Sequence, residues 1–185
     1  MGHRHYMYKI SKDLVNEIKG MTLTELKKKF CGSDDPDSYF NFMHDISHQE
    51  IHNFGKLYYD DTAERIYSRG VPMFDSKEVM DELSDYYPYI VGKEGLIEAI
   101  TIYQEKITNY YESLFEDNED GKSSDKQTRH MRDLFEEWKN KWAVNLDESN
   151  LFLTESWQYE YSIFNLMACL KSMDFEKETI LFYGW

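Results

Sequence analysis

The feature that most constrains this chain is an apolar stripe between Lys93 and Phe115. Leu96, Ile100, Tyr103, Ile107, Tyr110 and Leu114 recur at steps of three or four residues, which traces one side of a helix with 3.6 residues per turn. Gly92 precedes the stripe, and an acidic, glycine-containing stretch follows it, so both ends are marked. A helix this long with one apolar side has to be covered by other elements. Most of the remaining chain reads as helices able to cover it.

Upstream, Ser11 is placed to cap a short helix carrying Leu14, Val15 and Ile18, and Gly20 closes it. Thr22 and Glu25 form a capping box that opens a helix through Leu26 and Phe30 to Gly32. From Tyr39 the spacing of Phe42, Met43 and Ile46, then of Ile51, Phe54, Tyr58 and Ile66, predicts helix as far as Gly70. Val71 to Phe74 reads as a connector. Asp75 or Ser76 caps the next helix, which bears Val79, Met80 and Leu83 and stops before Pro88. Downstream, Met131, Leu134, Phe135, Trp138 and Trp142 form one helical stripe, and Trp157, Tyr161, Phe164 and Ala168 another. Thr179 to Tyr183 is β-branched and aromatic and is the best strand candidate, with Leu151 to Leu153 as a short partner. The expected fold is therefore mainly α: a compact multi-helix domain around the long central helix, with a small β element near the C-terminus. Residues 1–7 read as a flexible tail or expression remnant, residues 8–185 as one mainly helical domain, and residues 116–126 as an acidic loop.

Charge narrows the function classes. The chain has 35 Asp plus Glu against 21 Lys plus Arg, a formal net charge of -14 over 185 residues. Direct binding to nucleic acid is disfavoured, because phosphates would be repelled. Docking on anionic lipid is disfavoured for the same reason. A basic protein partner is favoured. The two cysteines, Cys31 and Cys169, have no metal-type spacing and read as reduced core thiols of a cytoplasmic protein. No membrane-length apolar run or signal-type segment is legible. The 15 tyrosines exceed what a core of this size needs, so some are expected at an interface.

Two patterns could carry chemistry. His44, His48 and His52 are four residues apart, and on one continuous helix they would share a face as helical metal sites do. With Asp45 they give a candidate divalent-metal set; otherwise no cofactor is indicated. Phe42-Met43-His44-Asp45-Ile46-Ser47-His48 also resembles the central motif of HD-type phosphohydrolases, with Ser47 where that family usually has Gly. The resemblance covers about seven residues. It implies an all-α enzyme in which His44 and Asp45 bind a metal that activates water and His48 faces the phosphate. Pro36-Asp37 followed by Asp75-Ser76-Lys77 imitates a nuclease pattern, but Asp75 and Ser76 read better as a helix cap.

The acidic clusters are the other pattern. They comprise Asp34, Asp35 and Asp37; Asp60 and Asp61; Glu116, Asp117, Glu119 and Asp120; and Glu136 with Glu137, with Tyr58, Tyr59, Tyr110 and Tyr111 beside two of them. Carboxylates on a rigid frame can imitate the phosphates of a duplex, and neighbouring aromatics supply desolvated contacts. The sequence therefore points to an acidic inhibitor that occludes a basic nucleic-acid-binding site on a partner such as a nuclease. A DNA-mimicking anti-defence protein (anti-CRISPR or anti-restriction), or immunity to a nuclease toxin, is the natural setting. The alternative is the metal-dependent hydrolase built on His44, Asp45 and His48.

Overall fold

Two seven-residue segments from opposite ends of the chain pair along their whole length. His5–Ser11 (β1) and Glu178–Gly184 (β5) are antiparallel partners, from His5 opposite Gly184 to Ser11 opposite Glu178. The computed structural model describes residues 4–32, 46–55, 61–85, 88–117, 133 and 157–184. Between the two strands come helices Lys12–Ile18 (α1) and Leu23–Cys31 (α2), strand Gln49–Gly55 (β2), helix Asp61–Ser68 (α3) and strand Gly70–Pro72 (β3). Helix Lys77–Glu82 (α4), strand Tyr89–Val91 (β4), helix Lys93–Asp117 (α5) and helix Trp157–Ser172 (α6) follow. The strands form one antiparallel sheet in the order β2-β1-β5-β4-β3. The fold is thus α/β, which corrects the mainly α, all-helical expectation.

The correction has a physical origin. In β1 and β5 both faces are buried: Met7, Ile10, Ile180, Leu181 and Phe182 are all at 0 % exposure. Strands covered on both sides do not alternate apolar with polar, so the period-two signal is weak. His5, Tyr6 and Met7, read as tail, are the first residues of β1. β3 and β4 have three residues each, too short to show a period. β2 replaces the helix expected through Ile51 and Phe54. Several local signals do appear as structure. Ser11 caps α1, Thr22 and Glu25 form a reciprocal capping box on α2, and Gly32 ends that helix at φ 64, in the left-handed region. Ser76 caps α4, and the long helix runs from Lys93.

The described residues fall into two compact units, Met1–Glu98 with Ser172–Trp185, and Ala99–Lys171. In the first, Tyr6, Tyr8, Ile10, Leu181 and Tyr183 lie on one side of the sheet and pack with Ile18 of α1, Leu26 of α2 and Val79 of α4. By strand alternation Met7 and Phe182 belong to the other side. There the Phe182 ring meets Phe54 of β2, Tyr67 of α3 and His5. The Thr179 hydroxyl, buried between strands, donates to the Val91 carbonyl at 3.0 Å. In the second unit, the continuation of α5 buries Ala99, Ile100, Ile102 and Tyr103, and α6 buries Ile163, Leu166, Met167 and Cys169. Both sets repeat at three and four residues, as one-sided helices require. Among the described residues no helix is long and apolar enough to cross a membrane.

Candidate functional site

The histidine set does not assemble as a helical face. His44 and Asp45 lie outside the described residues. His48 stands in a bend just before β2, and His52 is inside that strand. Four residues of extended chain separate positions by about 13 Å, where one helical turn would stack them. Each imidazole has another task. His48 Nε2 accepts a hydrogen bond from the Ser11 backbone N–H at 2.9 Å, and the His48 backbone N–H donates to the Lys9 carbonyl at 2.7 Å. His52 is buried opposite Met7, with its ring edge-on to Phe54 at 4.3 Å between centroids. Burial pushes its pKa down to about 4. Among the described residues no group of three or more His, Cys, Asp or Glu is placed to hold a metal ion. His48 and His52 therefore do not fit the metal set. The nuclease-like Asp75-Ser76-Lys77 is a helix start, with Ser76 Oγ accepting from the Val79 N–H.

Part of the tyrosine surplus is structural. Tyr6, Tyr8 and Tyr183 stack on one another with ring centroids 5.4–6.0 Å apart. The Tyr183 hydroxyl donates to that of Tyr8 at 3.3 Å. Burial raises the pKa of both phenols, so they stay protonated and act as packing groups.

The acidic positions are distributed unevenly. Asp34, Asp35, Asp37, Tyr58, Tyr59, Asp60, Glu119, Asp120, Glu136 and Glu137 lie outside the described residues. Asp61 is the first residue of α3, in the first unit. Tyr110, Tyr111, Glu116 and Asp117 are positions toward the C-terminal end of α5, in the second unit. The expected loop at 116–126 therefore opens with two helical residues. Along α5, Glu105, Asn109, Glu112 and Glu116 follow one another at steps of four, three and four, a single stripe. Glu105, Asn109 and Glu112 are exposed. Successive members of the stripe are about 4.5–6 Å apart along the axis. The cation of Lys106 lies over the Tyr103 ring, 6.0 Å from its centroid.

The C-terminal end of α5 is acidic. α5 has 25 residues, with no basic residue in its last turn, where the sequence places Glu116 and Asp117. The C-terminal end of a helix carries about half a negative charge from unsatisfied carbonyls, which favours cations there and disfavours anions. The acidic set thus stands where the helix itself is negative. Sequence reading missed Glu105 and Glu112, although the 3.6-residue period already traced for the apolar side places them with Glu116. It also missed the run Asp75, Glu78, Asp81, Glu82 and Asp85, all exposed, against the single cation Lys77, which pairs with Asp81. Comparison of the chain with protein-family models, curated proteins and solved structures returned no match.

Proposed function

We propose that this chain is an acidic binding protein that occludes a basic, nucleic-acid-binding site on a partner protein. The setting is inhibition of a nuclease, as an anti-CRISPR or anti-restriction protein or as immunity to a nuclease toxin. The observation that carries the reading is the acidic C-terminal end of α5, with Glu112, Glu116 and Asp117 at its negative pole and Tyr110 and Tyr111 within the preceding two turns. Such an end is electrostatically unfavourable in the free protein and is relieved when a cationic surface covers it. A net charge of -14 adds long-range attraction to such a surface and repels nucleic acid itself. Tyr111, which is not part of the apolar stripe that includes Tyr110, is the aromatic anchor assigned to this end of the helix. Metal-dependent phosphoester hydrolysis gains no support from the described residues, because the all-α frame it implies is replaced by a sheet and His48 is engaged by Ser11.

The test is capture of purified nucleases and nucleic-acid-guided effectors on the immobilised chain, with duplex DNA as competitor. A true partner is released by DNA and by salt, and is captured less by the Glu112→Gln, Glu116→Gln, Asp117→Asn variant. Partners that DNA does not displace, or that bind the folded triple variant as tightly as the parent, would remove the reading.

A further inference from the structure

On one side of the sheet, Tyr6 and Tyr8 of β1 and Tyr183 of β5 form a stack of three phenol rings. The Tyr8 and Tyr183 rings are nearly parallel, with planes 14° apart and centroids 5.4 Å apart. Their hydroxyl oxygens, joined by a hydrogen bond, are closer still at 3.3 Å, so the rings converge at their hydroxyl ends. That end carries the ortho carbons, where a phenoxyl radical holds much of its unpaired spin. Radical coupling at carbon proceeds through orbitals perpendicular to the ring, and offset parallel rings turn those orbitals toward each other. Tyr67 and Tyr89 supply the contrast: their centroids are 5.1 Å apart, but the ring planes stand at 75°. Tyr8 and Tyr183 are 5 % and 4 % exposed, which keeps water and small reductants from a radical formed there.

We propose that Tyr8 and Tyr183 form an oxidative cross-linking site, which a one-electron oxidant converts to a carbon–carbon-linked dityrosine tying β1 to β5. Two equivalents of oxidant take one electron each, one from either ring. Each phenol gives up its proton to solvent or to Glu50, which stands opposite Tyr8 on β2, exposed and within electrostatic reach of both phenols. The two phenoxyl radicals then join by a bond between one ortho carbon of each. The hydrogen on each joined carbon leaves as a proton and the oxygen is reprotonated, which restores two phenols. One C–C bond is made and two C–H bonds are broken, with two electrons on the oxidant and two protons in solvent. The link closes a loop between residues 175 apart in sequence, the kind of cross-link that restricts the unfolded chain.

The test is photo-oxidation of the full chain with ruthenium tris-bipyridine and persulfate, an outer-sphere oxidant that draws electrons without entering the core. Peptide mapping of the single-chain product should find the Tyr8 peptide joined to the Tyr183 peptide with the loss of two hydrogen atoms. Dityrosine fluorescence should accompany it, and the urea midpoint of the linked fraction should rise. The same treatment in unfolding urea should abolish the link, because only the fold brings these rings together. Tyr8→Phe and Tyr183→Phe keep ring size, remove one phenol, and should each lose this product. Absence of the Tyr8–Tyr183 link from the folded parent would overturn the proposal, whatever the variants do. So would an undiminished yield in urea, a Tyr67–Tyr89 product in greater yield, or persistence of the link in either variant. Should one variant fail to fold, the other decides, together with the parent's yields in the folded and unfolded states.

Discussion

Removing two charges from the end of α5 should make the free protein more stable and a worse binder. Glu116 and Asp117 occupy the last turn of a 25-residue helix that has no basic residue there. Each carboxylate in such a position costs about 0.3–1 kcal/mol against the helix dipole. Glu112 and Glu116, four residues apart, add like-charge repulsion of about 0.2–0.5 kcal/mol. Glu116→Gln with Asp117→Asn keeps side-chain size and should therefore gain about 1–2 kcal/mol. For a protein of this length that raises Tm by roughly 2–4 °C per kcal/mol. The assay is urea and thermal unfolding at low salt, repeated at high salt, where screening should shrink the gain. Glu94→Gln is the internal control, because Glu94 stands in the first turn of the same helix and its loss should destabilise. A double variant less stable than the parent, or a gain indifferent to salt, would refute the reasoning.

Two further outcomes concern the sheet and the core. His52 is held near pKa 4 against about 6.5 in the unfolded chain, so the unfolded state binds more protons between these values. Its contribution is complete above about pH 6.5 and is lost as pH falls toward 4, by about 3 kcal/mol in all; equilibrium unfolding across that window should be flatter by this amount in His52→Leu. Phe182→Ala and Ile100→Ala remove side chains at 0 % exposure and should cost about 3–5 and 2–5 kcal/mol in urea unfolding, and losses below about 1 kcal/mol would mean that the buried faces are misassigned.

The helices were legible where local chemistry decides them. Ser11, the Thr22–Glu25 box, Gly32 and Ser76 act on backbone groups within a few residues, so their effect is written in the adjacent sequence. The Lys93–Asp117 helix declares itself because only one of its sides is apolar over most of its length. β5 was legible from its β-branched and aromatic run, but its partner was not. β1 lies more than 160 residues away in sequence, opens with a histidine-rich stretch that reads as a tail, and is buried on both faces. β2 misled because a spacing of four between His48 and His52 suits a helix, while the alternation of exposed Asn53 with buried His52 and Phe54 spans too few residues to outweigh it. Of the proposed interface, Tyr110, Tyr111, Glu116 and Asp117 were singled out from composition and charge, with Glu116 and Asp117 read as the start of a loop where the structure has helix. The acidic run at Asp75–Asp85 was missed because its carboxylates are interleaved with the core residues Val79 and Leu83.

The proposed function requires the acidic end of α5 to compete with nucleic acid for a basic protein surface. The most direct measurement is the association rate of the captured nuclease with the parent chain and with the Glu112→Gln, Glu116→Gln, Asp117→Asn variant, at two salt concentrations and with duplex DNA present or absent. Steering between exposed opposite charges is screened over about 8 Å at physiological ionic strength, so it acts first on the association rate. Slower association of the variant, a weaker salt dependence than the parent's, and displacement of both by DNA are the expected results. Equal rates and equal salt dependence for parent and variant, or a complex indifferent to DNA, would contradict it.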